Sequence, residues 1–319
     1  ANFAQLVNSE NDFSGKTITL GKNIVLDGSD WTPIGTKDNP FKGTFNGRNG
    51  STYYTISGLN GDLFGVVNGI IQYVTISGGT GRLVNTLISG TVENCMSTAK
   101  VTGEGGGLVG TSTGTVQNSY YYNADGKNTM AVSSGTVTNC YYLADVSTWG
   151  QTDDIGARTA EEFKAGRVTW ELNGKDEVYT VPSTDWSMDE ELPCLKKGRA
   201  VYELTLTKKS DVKEMVAISV EGYTTLMNGN TQYVYVQNEE KPITIDESAF
   251  SEEYMVTYTP TQPTKTPQFN QSAESITFYY SVGKAITPDT SWYDDNKNKD
   301  EFILSDAADL FGLAQLVNS

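Results

Sequence analysis

The sequence predicts an all-β fold: a right-handed parallel β-helix with short capping helices, followed by a small immunoglobulin-like β-sandwich. The chain of 319 residues contains 32 glycines and 18 tyrosines and has little helical periodicity, which favours strands joined by tight turns. A short phrase recurs at intervals of 21 to 24 residues in the first half of the chain. From about residue 202, separated runs of alternating residues replace that phrase.

The repeated phrase starts with Gly-Thr-Val and has an asparagine two positions after the valine. It spans residues 90–95, 114–119 and 135–140, and a weaker copy spans residues 69–74. This period is too short for a propeller blade and suits one coil of three short strands. Equivalent residues of successive coils should stack about 4.8 Å apart. We therefore expect an inward column of Ile71, Val92, Val116 and Val137, and an amide ladder of Asn94, Asn118 and Asn139.

Two of the cysteines test this alignment. Cys95 and Cys140 share one column, and Ser119 occupies the coil between them. They should lie two coils apart, about 9.6 Å, whereas a disulfide needs Cα atoms within roughly 7 Å. We expect both cysteines to be reduced thiols that fill the core.

The charge of the chain and its lack of histidine exclude several classes of function. Asp and Glu number 39 against 23 Lys and Arg, and the net charge of −16 repels phosphate backbones and anionic lipid surfaces. No apolar run approaches the roughly 20 residues that cross a bilayer. Without histidine, a His zinc site, a Ser-His-Asp triad and a Cys-His dyad are all excluded, and the three cysteines lack Cys-x-x-Cys spacing. We expect no nucleic-acid partner, no direct membrane contact, no metal, no cofactor and no enzymatic activity.

Several short motifs in the first half of the chain carry a family resemblance. Residues 107–110 read Gly-Leu-Val-Gly, and with the phrase copy at residues 114–120 they resemble the GLUG motif of bacterial surface proteins. The Asp-Leu-Phe-Gly sequence of residues 62–65 resembles an earlier copy of the motif. A third resemblance is to the segment that precedes the GLUG coils of those proteins. It covers residues 31–35, 40–47 and 55–59.

The resemblance implies a large secreted protein, often anchored to the bacterial cell wall. GLUG arrays in that family occur as adhesin-like stalks and beside immunoglobulin A1-specific metallopeptidase domains. The zinc-binding His-Glu-x-x-His of the peptidase is missing from this chain, so no proteolytic activity carries over. The expected function is a non-catalytic repeat module of an extracellular adhesin or stalk on the bacterial cell surface. The expected partners are host or bacterial glycans or surface proteins, and neighbouring tandem units of the same parent chain.

The chain is expected to divide into three parts. Residues 1–200 form the β-helix and its C-terminal plug, where Thr159-Ala160-Glu161-Glu162 predicts a capped short helix. Residues 201–281 form the sandwich, and residues 282–319 form a linker and the start of the next tandem unit. The strands of the sandwich are predicted at residues 202–206, 233–236, 255–258 and 276–279, with a proline-rich loop or edge at residues 260–267.

A second, long-range repeat supports a tandem arrangement. Residues 313–319 repeat residues 3–9 at all but one position, at an offset of 310. Both copies are predicted to be the same capping helix, and the later one belongs to the next unit.

Four tyrosines are the candidate ligand-binding residues. In the coil alignment Tyr120 stacks on Tyr141, and Tyr121 stacks on Tyr142. As outward columns they would form a stacking surface for sugar rings, and the chain would be a glycan-binding module. Packing of these tyrosines within the coil is the rival interpretation.

A polysaccharide lyase is the more distant alternative, because pectate-lyase-type enzymes share the β-helix. Such an enzyme needs clustered carboxylates for calcium and a basic residue on the same face. Arg82 is the nearest arginine, and the acids of the visible coils fall in different columns: Glu93, Glu104, Asp125 and Asp145.

Overall fold

A computed structural model describes residues 3–9, 11–27, 30–125, 131–132, 135–144, 156–174, 186–195, 198–210, 217–220, 226–228, 231–237, 242–246, 254–258, 264–266 and 274–318. The fold is all-β, since strands predominate, helices are few and the larger sheets of the first half are parallel. The chain divides into two compact units. The first comprises Ala1–Glu203, Gly222–Thr224 and Val234–Glu239, and the second comprises Leu204–Glu221, Thr225–Tyr233 and Glu240–Ser319.

Most of the helices and strands are short, and strands outnumber helices in the described part of the chain. Up to residue 195 the elements are α1 (Phe3–Asn8), β1 (Thr17–Thr19), β2 (Ile24–Val25), β3 (Thr44–Asn46), β4 (Arg48–Asn49), β5 (Thr52–Tyr53), β6 (Thr55–Asn60), β7 (Phe64–Val67), β8 (Ile70–Gln72), β9 (Thr75–Thr80), β10 (Val84–Leu87), β11 (Thr91–Glu93), β12 (Met96–Ser97), β13 (Val109–Ser112), β14 (Thr115–Tyr121), β15 (Ala131–Val132), β16 (Thr136–Leu143), β17 (Ala157–Arg158), α2 (Ala160–Lys164), α3 (Arg167–Leu172), β18 (Ser187–Asp189) and β19 (Leu192–Cys194). After residue 200 they are β20 (Val201–Ser210), β21 (Ala217–Val220), β22 (Leu226–Asn228), β23 (Thr231–Gln237), β24 (Ile243–Asp246), β25 (Tyr254–Tyr258), β26 (Thr264–Lys265), β27 (Glu274–Lys284), α4 (Ser291–Asp294) and α5 (Ala307–Asn318).

The strands of the first unit form three parallel stacks. The first stack runs β1, β3, β8, β11, then the N-terminal halves of β14 and β16. The second runs β2, β6, β9, β12, the C-terminal halves of β14 and β16, and β17. The third runs β7, β10, β13 and β15. Each strand therefore pairs with the strand one repeat later, and the predicted register Thr91–Thr115–Thr136 is confirmed.

The inward column of the first stack is confirmed at all but its last predicted member. Ile71, Val92 and Val116 are fully buried, and Phe45 extends the column by one coil. Val137 is instead 45% exposed, so its predicted burial is wrong. The reason is that β16 is the last strand of this stack in the part of the chain that the structure describes, and no further coil covers it.

A ladder of glycines explains why every copy of the phrase starts with that residue. A Cβ atom on Gly90 would lie 2.0 Å from the carbonyl oxygen of Gly69, and one on Gly114 would lie 2.3 Å from that of Gly90. The same holds for Gly135 against Gly114, at 2.6 Å. The backbones of successive repeats approach here more closely than any side chain permits, so only glycine fits.

The asparagines of the phrase occupy a bend that requires left-handed backbone. Asn94, Asn118 and Asn139 have φ angles of 50°, 47° and 51°, a region that asparagine tolerates better than most residues. Asn139 Nδ2 donates a hydrogen bond to Asn118 Oδ1 at 2.8 Å, and a second to the carbonyl of Leu172 at 3.1 Å. The amide ladder is thus confirmed for the last two coils. Asn94 Oδ1 is buried and has no hydrogen-bond partner among the described residues.

The cysteines occupy the predicted register. Ser119 pairs with Cys140, and the backbone nitrogen of Cys95 donates to Ser119 Oγ at 3.0 Å, so one coil separates the two thiols. Cys95 and Cys140 are buried free thiols, as is Cys194. Burial raises the pKa of Cys140 to about 12, and burial also raises the pKa of Cys95 far above its usual range.

A compact segment closes the end of the stacks. The capping box of α2 is confirmed: Glu162 N donates to Thr159 Oγ1 at 3.2 Å, and Thr159 N donates to Glu162 Oε2 at 2.8 Å. A buried ion pair joins β17 to α3, because Arg158 Nε and Glu171 Oε2 lie 2.9 Å apart. The Arg158 guanidinium also lies 4.8 Å from the ring centroid of Tyr141. These contacts hold α3 against the last strands of the coil.

After residue 200 the chain forms two further sheets. One has the order β22-β23-β20-β27-β25, and the other has the order β21-β24-β26. Strands β20 and β27 pair in parallel, and four other pairs are antiparallel: β22 with β23, β25 with β27, β21 with β24, and β24 with β26. The four strands predicted from the alternating runs are confirmed as β20, β23, β25 and β27. Within the proline-rich segment, β26 lies at the edge of its sheet, as predicted.

Candidate functional site

The four predicted ligand-binding tyrosines stack as expected but do not face outward. Tyr120 pairs with Tyr141 and Tyr121 pairs with Tyr142 between β14 and β16. All four side chains are buried, so the prediction that they form outward columns is wrong. None of the four rings is open to solvent, and Tyr120 borders the groove described below from beneath its surface.

Tyr121 and Tyr142 lie on the core side of the second stack. Tyr121 is in register with Ser97, which is in register with the fully buried Ile76. A Cβ atom added to Gly107 would lie 2.2 Å from the Tyr121 ring. Gly107, which opens the Gly-Leu-Val-Gly sequence of residues 107–110, therefore leaves room for this ring.

Tyr120 and Tyr141 point from the outer side of the same strands, because side chains alternate along a strand. They are covered by the segment that closes the coil. The Tyr120 ring contacts Phe163 and Trp186 at centroid distances of 5.6 and 5.5 Å, and its hydroxyl donates to the carbonyl of Pro193 at 2.6 Å. Tyr141 donates its hydroxyl to Asn139 Oδ1 at 2.9 Å. Packing, the rival interpretation, accounts for all four tyrosines.

A groove that the sequence did not predict lies beside these tyrosines, within the first unit. It has a volume of about 670 Å³ and lies between the outer face of the second stack and the hairpin of β18 and β19. Its floor, on the second stack, includes Thr55, Thr75, Ser77 and Thr98, and its wall, on the hairpin, includes Asp189, Glu190 and Glu191. The tyrosines that line it are Tyr53, Tyr120 and Tyr122.

The floor of the groove offers a row of hydroxyl groups. Thr55 and Thr75 are direct partners on adjacent strands, and Ser77 follows two residues later on the exposed outer side. Among the described residues, none hydrogen-bonds to the side chains of these three. Thr98 differs, because its hydroxyl accepts from Gly78 N at 3.0 Å. The second stack therefore presents polar groups at the spacing of its strands, about 4.8 Å.

The two half-buried tyrosines of the groove are held in place by their neighbours. The Tyr53 ring lies 5.9 Å from that of Tyr73, and the Arg48 guanidinium lies 5.1 Å from the Tyr53 centroid. Tyr122 packs edge-on against Phe163 at 4.9 Å. Burial raises the pKa of Tyr122, and the negative charges of Glu191 and Glu161 add to the effect. Its hydroxyl thus stays protonated and able to donate.

The wall of the groove is acidic. Asp189, Glu190 and Glu191 are all exposed, and the positive φ of Glu190, 54°, marks the tip of the hairpin. Lys164 Nζ lies 2.6 Å from Glu191 Oε1, and this hydrogen bond raises the pKa of Lys164. Hydroxyl donors of a neutral ligand suit such carboxylates, whereas anionic ligands do not.

Two of the residues considered for a lyase, Arg82 and Glu93, make hydrogen bonds within the fold. Arg82 donates to the carbonyls of Gly106 and Glu104 at 2.8 and 2.5 Å. Glu93 Oε2 accepts from Gln117 Nε2 at 2.9 Å in the first stack. Asp145 lies outside the described residues. In the part of the chain that the structure describes, no three His, Cys, Asp or Glu side chains are grouped to hold a metal ion.

Comparisons with known proteins find no relative of this chain. No protein family, curated protein or solved structure matches the chain. Among the described helices, none is long and apolar enough to span a membrane. The sequence and the geometry of the described residues are therefore the only basis for a functional proposal.

Proposed function

We propose that this chain is a non-catalytic repeat module of a bacterial cell-surface adhesin or stalk. In this proposal the first unit is a right-handed parallel β-helix of GLUG-like coils, and the sheets after residue 200 form an immunoglobulin-like sandwich. The parent protein is extracellular, and its partners are host or bacterial glycans or surface proteins.

The observation that supports the proposal most directly is the regular register of the three parallel stacks. Phe64, Val84 and Val109 are successive partners in the third stack, as are Thr91 and Thr115 in the first. Each coil contacts its neighbours in the same way, with the same glycine ladder at the turn. Such an arrangement lengthens by adding coils without redesign of the core, which suits a spacer or display element.

The test combines adhesion with a search for turnover. Beads coated with the full chain are passed over arrays of host and bacterial glycans and surface proteins, and soluble polysaccharides are analysed for cleavage with and without calcium. Retention with unchanged ligands supports an adhesin. No retention and no cleavage supports a passive stalk. Cleavage of any polysaccharide contradicts a non-catalytic module and supports the lyase alternative.

Glycan binding is the second candidate function, and the groove favours it. Sugar-binding sites combine aromatic rings, which stack on the apolar face of a sugar, with groups that hydrogen-bond its hydroxyls. Tyr53 and Tyr122 supply the rings, and Thr75 and Ser77 supply hydroxyls, on the same side of the coil as the acidic hairpin. The buried tyrosine columns first considered for this role are replaced by these residues.

A pair of matched substitutions tests the groove. Thr75→Val removes a hydroxyl from the floor without changing the shape of the side chain, whereas Thr91→Val makes the same change in the first stack, away from the groove. Loss of one neutral hydrogen bond should weaken a bound glycan by about 3- to 10-fold for Thr75→Val alone. Equal affinities of the two variants, measured by calorimetry on an oligosaccharide retained in the array, would exclude this groove as the site.

A further inference from the structure

A seven-residue sequence, called the heptad below, occurs twice in this protein with one difference, and its two copies lie in different environments. Residues 3–9 and residues 313–319 differ only by Phe3 in place of Leu313. Residues 3–8 form α1, and residues 313–318 form the C-terminal part of α5. A sequence that is identical at all but one position, in a helix in both places, indicates that the two helices fit the same kind of surface.

The surface that α1 covers, called the α1 seat below, shows what this surface is. Val7 and Ala4 are buried, and the Phe3 ring contacts those of Phe13 and Phe41 at centroid distances of 5.0 and 6.1 Å. Asn8 fastens the end of the helix with its side chain. The Asn8 side chain donates to the carbonyl of Pro33 at 3.1 Å and accepts from the backbone nitrogen of Gly35 at 2.7 Å.

The helix α5 exposes the face that α1 buries. Asp309 and Gly312 are its buried residues. Leu310, Leu313, Ala314 and Val317, spaced as one helical stripe, are all exposed. Val317 is 74% exposed, whereas its counterpart Val7 is 0% exposed. An apolar stripe of this kind on an otherwise acidic chain indicates an interaction surface.

The apolar surface extends beyond the helix itself. Trp292, Tyr293 and Phe302 form a cluster of rings with centroid distances of 5.3 to 6.0 Å, and they line one depression of about 440 Å³ with Leu313 and Val317. Ile303 beside it is 76% exposed. This cluster supplies additional contact area around the heptad.

We propose that α5 is a second copy of the capping helix and that it docks on the α1 seat of another copy of this chain. Leu313, Ala314 and Val317 would take the places of Phe3, Ala4 and Val7, and Asn318 would take the place of Asn8. The seat must first be vacated by the α1 of the receiving copy. The contact is head-to-tail, so it joins copies with a vacated seat into a row rather than into a closed dimer. It does not depend on whether the module binds glycans.

A donor and an acceptor variant test the contact. The acceptor lacks residues 1–10, which empties its seat, and carries Val317→Asp, which disables its own α5. The donor is the full chain. Mixing should give a 1:1 complex by light scattering after size-exclusion chromatography. Val317→Asp in the donor should weaken the complex at least about 100-fold, because a carboxylate cannot enter the apolar seat without a partner.

The matched control is Gln315→Asp in the donor, since its counterpart Gln5 is exposed in α1 and the added charge then stays in water. This variant should bind within about 3-fold of the unmodified donor. A folded acceptor that binds no donor, or a complex that survives Val317→Asp, would overturn the proposal.

If the acceptor does not fold, a second variant tests whether the α5 sequence fits the α1 seat. Phe3→Leu in the full chain makes residues 3–9 identical to residues 313–319. The proposal requires that this sequence fits the seat, so the melting temperature should fall by no more than about 2 to 4 °C. A loss as large as that of Val7→Asp would show that the α5 sequence cannot occupy the seat and would refute the proposal.

Discussion

The glycine ladder makes the sharpest prediction about stability. In Gly114→Ala, the new Cβ atom lies 2.3 Å from the carbonyl oxygen of Gly90, where ordinary contact begins at about 3.4 Å. The coils must therefore separate locally by about 1.1 Å. The same oxygen accepts the hydrogen bond from Thr115 N at 2.9 Å, so the movement also lengthens a bond of the first stack.

The expected cost follows from these two effects. A strained or broken backbone hydrogen bond costs about 1 kcal/mol, and the overpacking of a rigid site costs about 1 to 3 kcal/mol. Together they should lower the free energy of unfolding by about 2 to 4 kcal/mol. For a unit of this size, each kcal/mol corresponds to about 2 to 4 °C, so a loss of about 3 kcal/mol lowers the melting temperature by about 6 to 12 °C.

The control is Gly21→Ala, because a Cβ atom on Gly21 meets nothing within 4 Å and the backbone there has no positive φ. Thermal unfolding followed by circular dichroism compares the two variants with the unmodified chain. Gly21→Ala should melt within about 2 °C of it. If Gly114→Ala has the same melting temperature as Gly21→Ala, the close approach of the backbones is not the reason for glycine at this position of the phrase.

Three further predictions concern the core of the first unit. Tyr121→Ala should destabilise the chain by about 3 to 5 kcal/mol in urea unfolding, and Tyr122→Ala clearly less, since only Tyr121 is fully buried; equal losses would contradict the assignment of Tyr121 to the core. Glu171→Gln removes the carboxylate charge that faces the buried Arg158 guanidinium and should cost about 3 to 5 kcal/mol, so an unchanged urea midpoint would exclude a structural role for the pair. The raised pKa of Cys140 contributes to the free energy of unfolding fully below the ordinary thiol pKa of 9.0, and this contribution falls as the pH rises from 9.0 towards about 12, because the thiol of the unfolded chain ionises first. Cys140→Ala should make the decrease of stability with pH less steep, and an unchanged decrease would refute this linkage.

The repeat of the sequence was sufficient to predict the register of the parallel strands. A parallel stack places equivalent residues above one another, so a period in the sequence becomes a column in space. Cys95, Ser119 and Cys140 lie in their predicted order for this reason. The left-handed bend at Asn118 and the capping box at Thr159 were predictable for a different reason, since both depend on residues close together in the chain.

The groove could not be predicted in the same way. Its floor comes from strands near Thr55 and Thr75, whereas its wall comes from the hairpin at Glu190, more than a hundred residues later. The period of the coils carries no information about which outer face that hairpin covers. An acidic turn beside a strand is also an ordinary surface feature, so the sequence held no signal that would single it out.

The sequence by itself determined which residues stack, because a repeat in the sequence becomes a column in a parallel stack. It did not determine which faces are covered. Alternation separates Tyr120 from Tyr121, yet only the tertiary structure decides that a later segment buries Tyr120 as completely as the core buries Tyr121. Val7 and Val317 lead to the same conclusion, since they are equivalent positions of two nearly identical segments and only Val7 is buried. Burial depends on contacts between residues far apart in the chain, and a local pattern does not contain them.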